Sequence, residues 1–166
     1  MPIEFDITLT PKDMYRFNMY QTYSGFHGWF SVIVAIFIFV IAGMTYGDIE
    51  STYTILYVVF GIVFLVYPPV SLNIRSKHAL ASSEVLRNAL HYAVSENGFI
   101  VSQGEASAEL PWTQIYKMVA TKCNVLVYSN RTNAYVIPRE QLGEETYRAL
   151  AEMANFKLEK YRVKMQ

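Results

Sequence analysis

Three histidines, one cysteine and fourteen carboxylates are the residues from which chemistry could be built. A metal site needs such donors converging at ligand spacing. His27, His78 and His91 lie in three different contexts, with no His-x-x-x-His pair and no acid cluster at ligand spacing beside them. His27 stands at the edge of an apolar run and reads as a headgroup-level residue. His78 follows Lys77 among small residues and reads as solvated, and His91 sits in a strand-like stretch. A single cysteine, Cys123, excludes an internal disulfide and a thiolate cage. In a strand-like run, packing accounts for it more readily than a reactive thiol does. There is no phosphate loop, no nucleophile elbow and no acid embedded for proton transfer, while Glu105 and Glu109 read as water-facing. We therefore expect no catalytic residue, no metal and no cofactor, and a chain that is not an enzyme. The net charge of zero also argues against nucleic acid as a partner, since phosphate binding needs a basic excess.

The elements that must carry these residues divide sharply by charge. Between Arg16 and Asp48, and again between Glu50 and Arg75, there is no Asp, Glu, Lys or Arg. The first gap holds the run Trp29 to Met44 and the second holds Thr52 to Tyr67. With their flanks, each reaches the roughly 20 residues that cross about 30 Å of hydrocarbon. Both are rich in strand-favouring Ile, Val and Phe, but in lipid only a helix satisfies its own backbone. A transmembrane helical hairpin is therefore expected over 25–72. Lys12 and Arg16 lie before the first run and Arg75, Lys77 and Arg87 after the second, whereas the connector Gly47–Ser51 is acidic. The positive-inside tendency then places both termini in the cytoplasm. Pro68-Pro69 is expected to kink the second helix or end it.

Around the hairpin the pattern changes. Residues 1–24 predict a strand, with Ile3, Phe5, Ile7 and Leu9 on one face, and then an interfacial helix opened by Thr10-Pro11. Pairing of that strand with the main sheet is expected, because an isolated strand is unstable. Residues 73–87 predict a helical connector. Residues 88–166 predict short strands punctuated by Glu96-Asn97-Gly98, Gln103-Gly104-Glu105 and Asn130 to Asn133, then one amphipathic helix. Its predicted apolar stripe is Tyr147, Leu150, Ala151, Ala154, Leu158 and Tyr161. The fold class is α+β: a transmembrane hairpin plus a PH-like antiparallel β-barrel or sandwich capped by a C-terminal α-helix.

Three motifs in this order carry a family resemblance: Glu96-Asn97-Gly98-Phe99-Ile100, Leu110-Pro111-Trp112-Thr113-Gln114-Ile115 and Tyr135-Val136-Ile137-Pro138-Arg139. Together with a strand before two spans, they resemble the YcxB-like bacterial membrane proteins across nearly the whole chain. The resemblance implies a PH-like cytoplasmic domain on a two-helix anchor, and it implies no reaction, ligand or catalytic residue. The first hairpin loop is acidic, which gives little support to binding of a phosphoinositide headgroup.

The function expected is a membrane-tethered interaction or regulatory module. Its candidate partner surface is Trp112, Tyr116 and Tyr135, with core packing the competing reading for Trp112. Lys157, Lys160, Arg162 and Lys164 are candidate contacts to anionic lipid. Helix-dipole complementarity at the end of the last helix accounts for them equally. The alternative is an accessory or immunity-type subunit that acts through its spans on a transporter or a membrane-active toxin. Partners are then the bilayer, an unidentified membrane or cytoplasmic protein, and a second copy of the chain.

Overall fold

Period-two alternation in Ile3–Leu9 becomes strand β1 (Ile3–Ile7), with Ile7 and Leu9 buried and Glu4 and Asp6 exposed. A computed structural model describes residues 2–165, and His27 by its backbone alone. The expectation placed on the His27 side chain lies outside the described residues. The chain forms two compact units, residues up to Phe17 with those from Lys77 onward, and Asn18–Ser76. The fold is mixed α+β, with six α-helices among the described residues.

In the first unit β1 pairs antiparallel with β2 (Leu90–Val94), as expected of the N-terminal strand, with Phe5 opposite Tyr92. Strands β3 (Gly98–Gln103) and β4 (Ala106–Pro111) continue the meander, giving the sheet order β1-β2-β3-β4. The second sheet, in the order β7-β6-β5-β8, joins β5 (Lys117–Ala120), β6 (Asn124–Tyr128), β7 (Ala134–Pro138) and β8 (Val163–Lys164). All its pairings are antiparallel except β5 with β8. Strand β6 is buried at every residue, as an interior strand rich in Val and Leu should be. Gly98 is required for the first hairpin. Its φ is 152°, and a Cβ there would run into the Leu110 carbonyl oxygen on β4.

Two local devices bind the N-terminal segment to the remainder of this unit. Helix α1 (Pro11–Tyr23) opens with a reciprocal cap: the Thr10 amide and hydroxyl donate to the Asp13 carboxylate, and the Asp13 amide donates to the Thr10 hydroxyl. The Asp13 carbonyl then accepts from Asn124 Nδ2 of β6 at 3.1 Å. Gln141, on the short helix α5 (Arg139–Leu142), clamps the backbone of Thr8 through two 2.8 Å hydrogen bonds. Helix α6 (Glu144–Lys157) buries Tyr147, Leu150 and Ala154.

The expected stripe on this last helix runs too far. The helix stops at Lys157; Leu158 is extended and buried, and Val163 is buried in β8. Burying these two apolar side chains, worth about 1.5–3 kcal/mol each, takes the chain out of the helix through a 3-10 turn at Lys160–Arg162. Tyr161 is consequently exposed rather than part of an apolar stripe.

In the other unit lies helix α2 (Phe26–Met44), and helix α3 (Ser51–Ser82) runs through it. Helix α3 does not end at Pro68-Pro69 but continues through both to Ser82. A long apolar run makes all its other backbone bonds internally, and it tolerates the two missing donors. Most of the segment read as a connector is therefore the last part of α3, followed by the one-turn helix α4 (Glu84–Arg87) capped by Ser83. By length and composition α3 could cross a membrane alone, whereas α1 and α2 meet that test only as a joined pair. The large apolar side chains of α2 and α3 are mostly exposed, while the small Ala35 and Ala42 are buried. Gly61 lies against the ring of Phe39, with no room for a Cβ.

Candidate functional site

Strand β4 ends one sheet and β7 ends the other, and both edges carry small residues: Ala106, Ser107 and Ala108 on β4, Ala134 on β7. Where the register row Phe5–Tyr92–Val101–Ala108 runs out in alanine, the side chains no longer fill the space. A partly open pocket of about 420 Å³ results. Its walls are completed by Leu9, Met14 of α1, Val85 and Leu86 of α4, and Tyr135 and Val136 of β7. The volume falls in the range of about 300–1,000 Å³ usual for small-molecule sites. No charged side chain is among the residues lining it.

The polar groups at this pocket are few. Gln103 donates through Nε2 to the Val85 carbonyl at 2.9 Å, which ties the end of β3 to α4 and spends that amide on structure. Tyr92 is 1% exposed, and its ring stacks on Phe5 at 5.3 Å. Burial, and after it the neighbouring Tyr135, push the Tyr92 phenol above its ordinary value, so at neutral pH it is a neutral donor. The arrangement can hold an uncharged, largely apolar group and offer it one or two phenol O–H donors.

Only one of the three candidate aromatic residues reaches this pocket, and it is Tyr135. Trp112 is not a surface residue. It is 6% exposed, its indole donates to the Ser95 carbonyl at 3.0 Å, and its ring meets Phe99 edge-on at 5.2 Å. Pro111 ends β4 and the 3-10 turn that follows tips Trp112 into the core, so the competing packing reading holds for it. Tyr116 is exposed but away from the pocket, its amide bonded to the Tyr128 carbonyl.

The four basic candidates are not one helix terminus. Lys157 ends α6, Lys160 and Arg162 belong to the 3-10 turn, and Lys164 is in β8. What accompanies them is aromatic: Phe156 and Tyr161 are 84% and 72% exposed. The Lys157 ammonium lies 5.7 Å from the Phe156 ring, and Arg162 Nε donates to the Tyr161 hydroxyl at 3.3 Å. His91 pairs across the β1–β2 ladder with Asp6, at 2.7 Å from Nδ1 to Oδ1. Among the described residues no group of three or more His, Cys, Asp or Glu could hold a metal ion. Sequence reading missed Tyr92, Val101, Ala108 and Met14; its one available signal was the run of small residues at Ala106-Ser107-Ala108.

Residues 94–154 match the family model described as YcxB-like protein. Over this stretch the chain is similar to that family. The matched segment contains the Gly98 hairpin, the Trp112 turn and the Tyr135–Arg139 strand end, so all three motifs fall inside it. It is shorter than the near whole-chain extent of the resemblance. Helices α1 to α4, β1 and the pocket residues Leu9, Met14, Val85, Leu86 and Tyr92 precede it. Neither the curated proteins nor the solved structures yield a match to the chain.

Proposed function

We propose that the chain is a membrane-tethered, non-enzymatic interaction module of the bacterial inner membrane. In this reading α2 and α3 are two spans, and the two-sheet unit is a PH-like domain on the cytoplasmic side with both termini. The observation that carries the reading is the outer surface of α2 and α3. Ile36, Phe37, Val59 and Phe60 are each about half exposed or more, on segments without a single charged residue. Leaving such a surface in water costs about 25 cal/mol per Å² of apolar area, and a bilayer removes that cost. The PH-like assignment is supported by two four-stranded sheets, seven of whose strands precede one amphipathic helix. Exposed Phe156 and Tyr161 beside Lys157, Lys160, Arg162 and Lys164 suit a second contact with an anionic lipid surface. The accessory-subunit alternative needs the small residues of the spans for a partner. Ala35, Ala42 and Gly61 are instead buried or packed within the chain itself, which favours the tethered module.

Cysteine labelling on whole cells tests the topology. In a Cys123→Ser background, Asp48→Cys should react with a membrane-impermeant maleimide, and Glu4→Cys should react only after the cells are opened. Reaction of both from outside, or release of the protein from membranes by alkaline carbonate, would sink the proposal.

A further inference from the structure

The pocket has walls and a volume, and the chemistry of its lining points to an occupant. Resting on the membrane-tethered reading, we propose that the gap between β4 and β7 takes the acyl chain of a bilayer lipid, with the headgroup left outside. Three observations on the pocket converge on a hydrocarbon tail. First, no Asp, Glu, Lys, Arg or His lines it, so nothing there would neutralise a phosphate, a carboxylate or the side chains of a charged peptide. Second, its volume of about 420 Å³ is bounded by Leu9, Met14, Leu86, Leu90, Val101 and Val136, an apolar surface that water would wet poorly. Third, the wall residues Val85 and Leu86 follow the end of α3 by three and four residues, so the chain leaving the membrane-long helix becomes pocket wall almost at once.

The polar detail fits the same occupant. Tyr92, a buried residue, lines the pocket beside Tyr135. A tyrosine hydroxyl is a donor suited to the ester carbonyl at the top of an acyl chain, which accepts hydrogen bonds and carries no charge. The small residues Ala108 and Ala134, on opposite walls, keep the space free. A larger side chain at either position would occupy it.

The test uses the full chain in nanodiscs of phosphatidylethanolamine and phosphatidylglycerol. These are doped with a phosphatidylcholine whose tail carries a diazirine near its end. After illumination, the cross-linked peptides are mapped by mass spectrometry. Label is expected on the peptides bearing Val101 and Tyr135 as well as on α2 and α3. Ala108→Trp and Ala134→Trp should each remove the pocket label while leaving the α3 label unchanged. A cooperative melt confirms that each variant is folded, and if one of them does not fold the other carries the comparison. Label on α2 and α3 alone would overturn the acyl-chain proposal and leave the tether standing. Label that persists at the pocket in a folded tryptophan variant would overturn it too. Pocket label with none on α2 or α3 would support the acyl site and sink the tether, so the two readings fail separately.

Discussion

Valine and leucine fill both strand β6 and the middle of helix α3, and the two places treat them oppositely. Val125, Leu126 and Val127 of β6 are wholly buried, whereas Val58, Val59 and Phe60 of α3 are 38–50% exposed. In the strand, backbone groups pair with β5 and β7 on either side, and apolar side chains close the space above and below. In the helix, every backbone bond is internal, so the side chains need nothing from the protein and form its outside. The same residue types thus stand in two settings: one region buries its apolar surface inside the protein, and the other leaves it on the outside, where the proposed membrane placement would give it lipid.

The largest expected effect breaks the buried side of that comparison. Trp112→Ala removes a core ring from Phe99 and leaves the Ser95 carbonyl without its indole donor. A loss of about 3–5 kcal/mol is expected, read as a lower urea midpoint by a probe of the sheet unit. An unchanged midpoint would return Trp112 to the surface role. The exposed apolar side, lipid-facing in the proposed reading, breaks by a different rule. Phe60→Lys places a charge within α3 and should cost about 2.5–3.5 kcal/mol of insertion, measured as the fraction of chains resisting carbonate extraction. Tyr116→Lys, at an exposed position of the sheet unit, should stay within about 0.5 kcal/mol in the same membranes. Equal effects at the two positions would remove the distinction between the surfaces.

What the sequence allowed to be read follows the range of the forces involved. The period-two run of Ile3–Leu9, the turns at Gly98 and Gly104 and the Thr10 cap are local, and each appears where its residues predict it. Charge-free runs mark α2 and α3 for a similar reason: solvent acts residue by residue. The end of α6 was illegible because Leu158 and Val163 leave the helix for partners more than thirty residues away in sequence, such as Met118 opposite Val163. Of the two outcomes expected at Pro68-Pro69, an end of the helix does not occur, because an apolar run keeps its other backbone bonds internal on both sides of the prolines. The pocket was hidden most completely. It exists because β4 and β7, which do not pair, both begin in small residues, and no spacing along the chain expresses that.

A smaller effect sharpens the buried side. Gly98 has φ of 152°, and its missing side chain leaves room for the Leu110 carbonyl of the neighbouring strand. Gly98→Ala should therefore cost about 1–3 kcal/mol, seen as a lower urea midpoint with an unchanged m-value. A fall no larger than that for an exposed substitution would mean that β4 can move aside, and that the β3–β4 edge is softer than its register suggests.

The finest distinction between the regions is ionic and falls on Tyr92. Its phenol is raised above the ordinary value of 10.0 first by burial and then by Tyr135. Below that value the phenol is neutral in both folded and unfolded chains, so it adds no pH dependence. Above it the unfolded chain loses the proton first, binds fewer protons than the native state, and stability falls as pH rises. The contribution of Tyr92 is thus fully present below about pH 10 and disappears towards the higher native value, at up to about 1.4 kcal/mol per pH unit. Tyr92→Phe keeps the ring stacked on Phe5 and removes the ionisation. Denaturation followed from pH 8 to 11 should therefore give the variant a shallower alkaline limb than the parent chain. Superimposable limbs would mean that water already reaches the hydroxyl. The interior of the sheet unit would then resemble the wetted outside of a protein, and the contrast with β6 would have to be redrawn at the pocket wall.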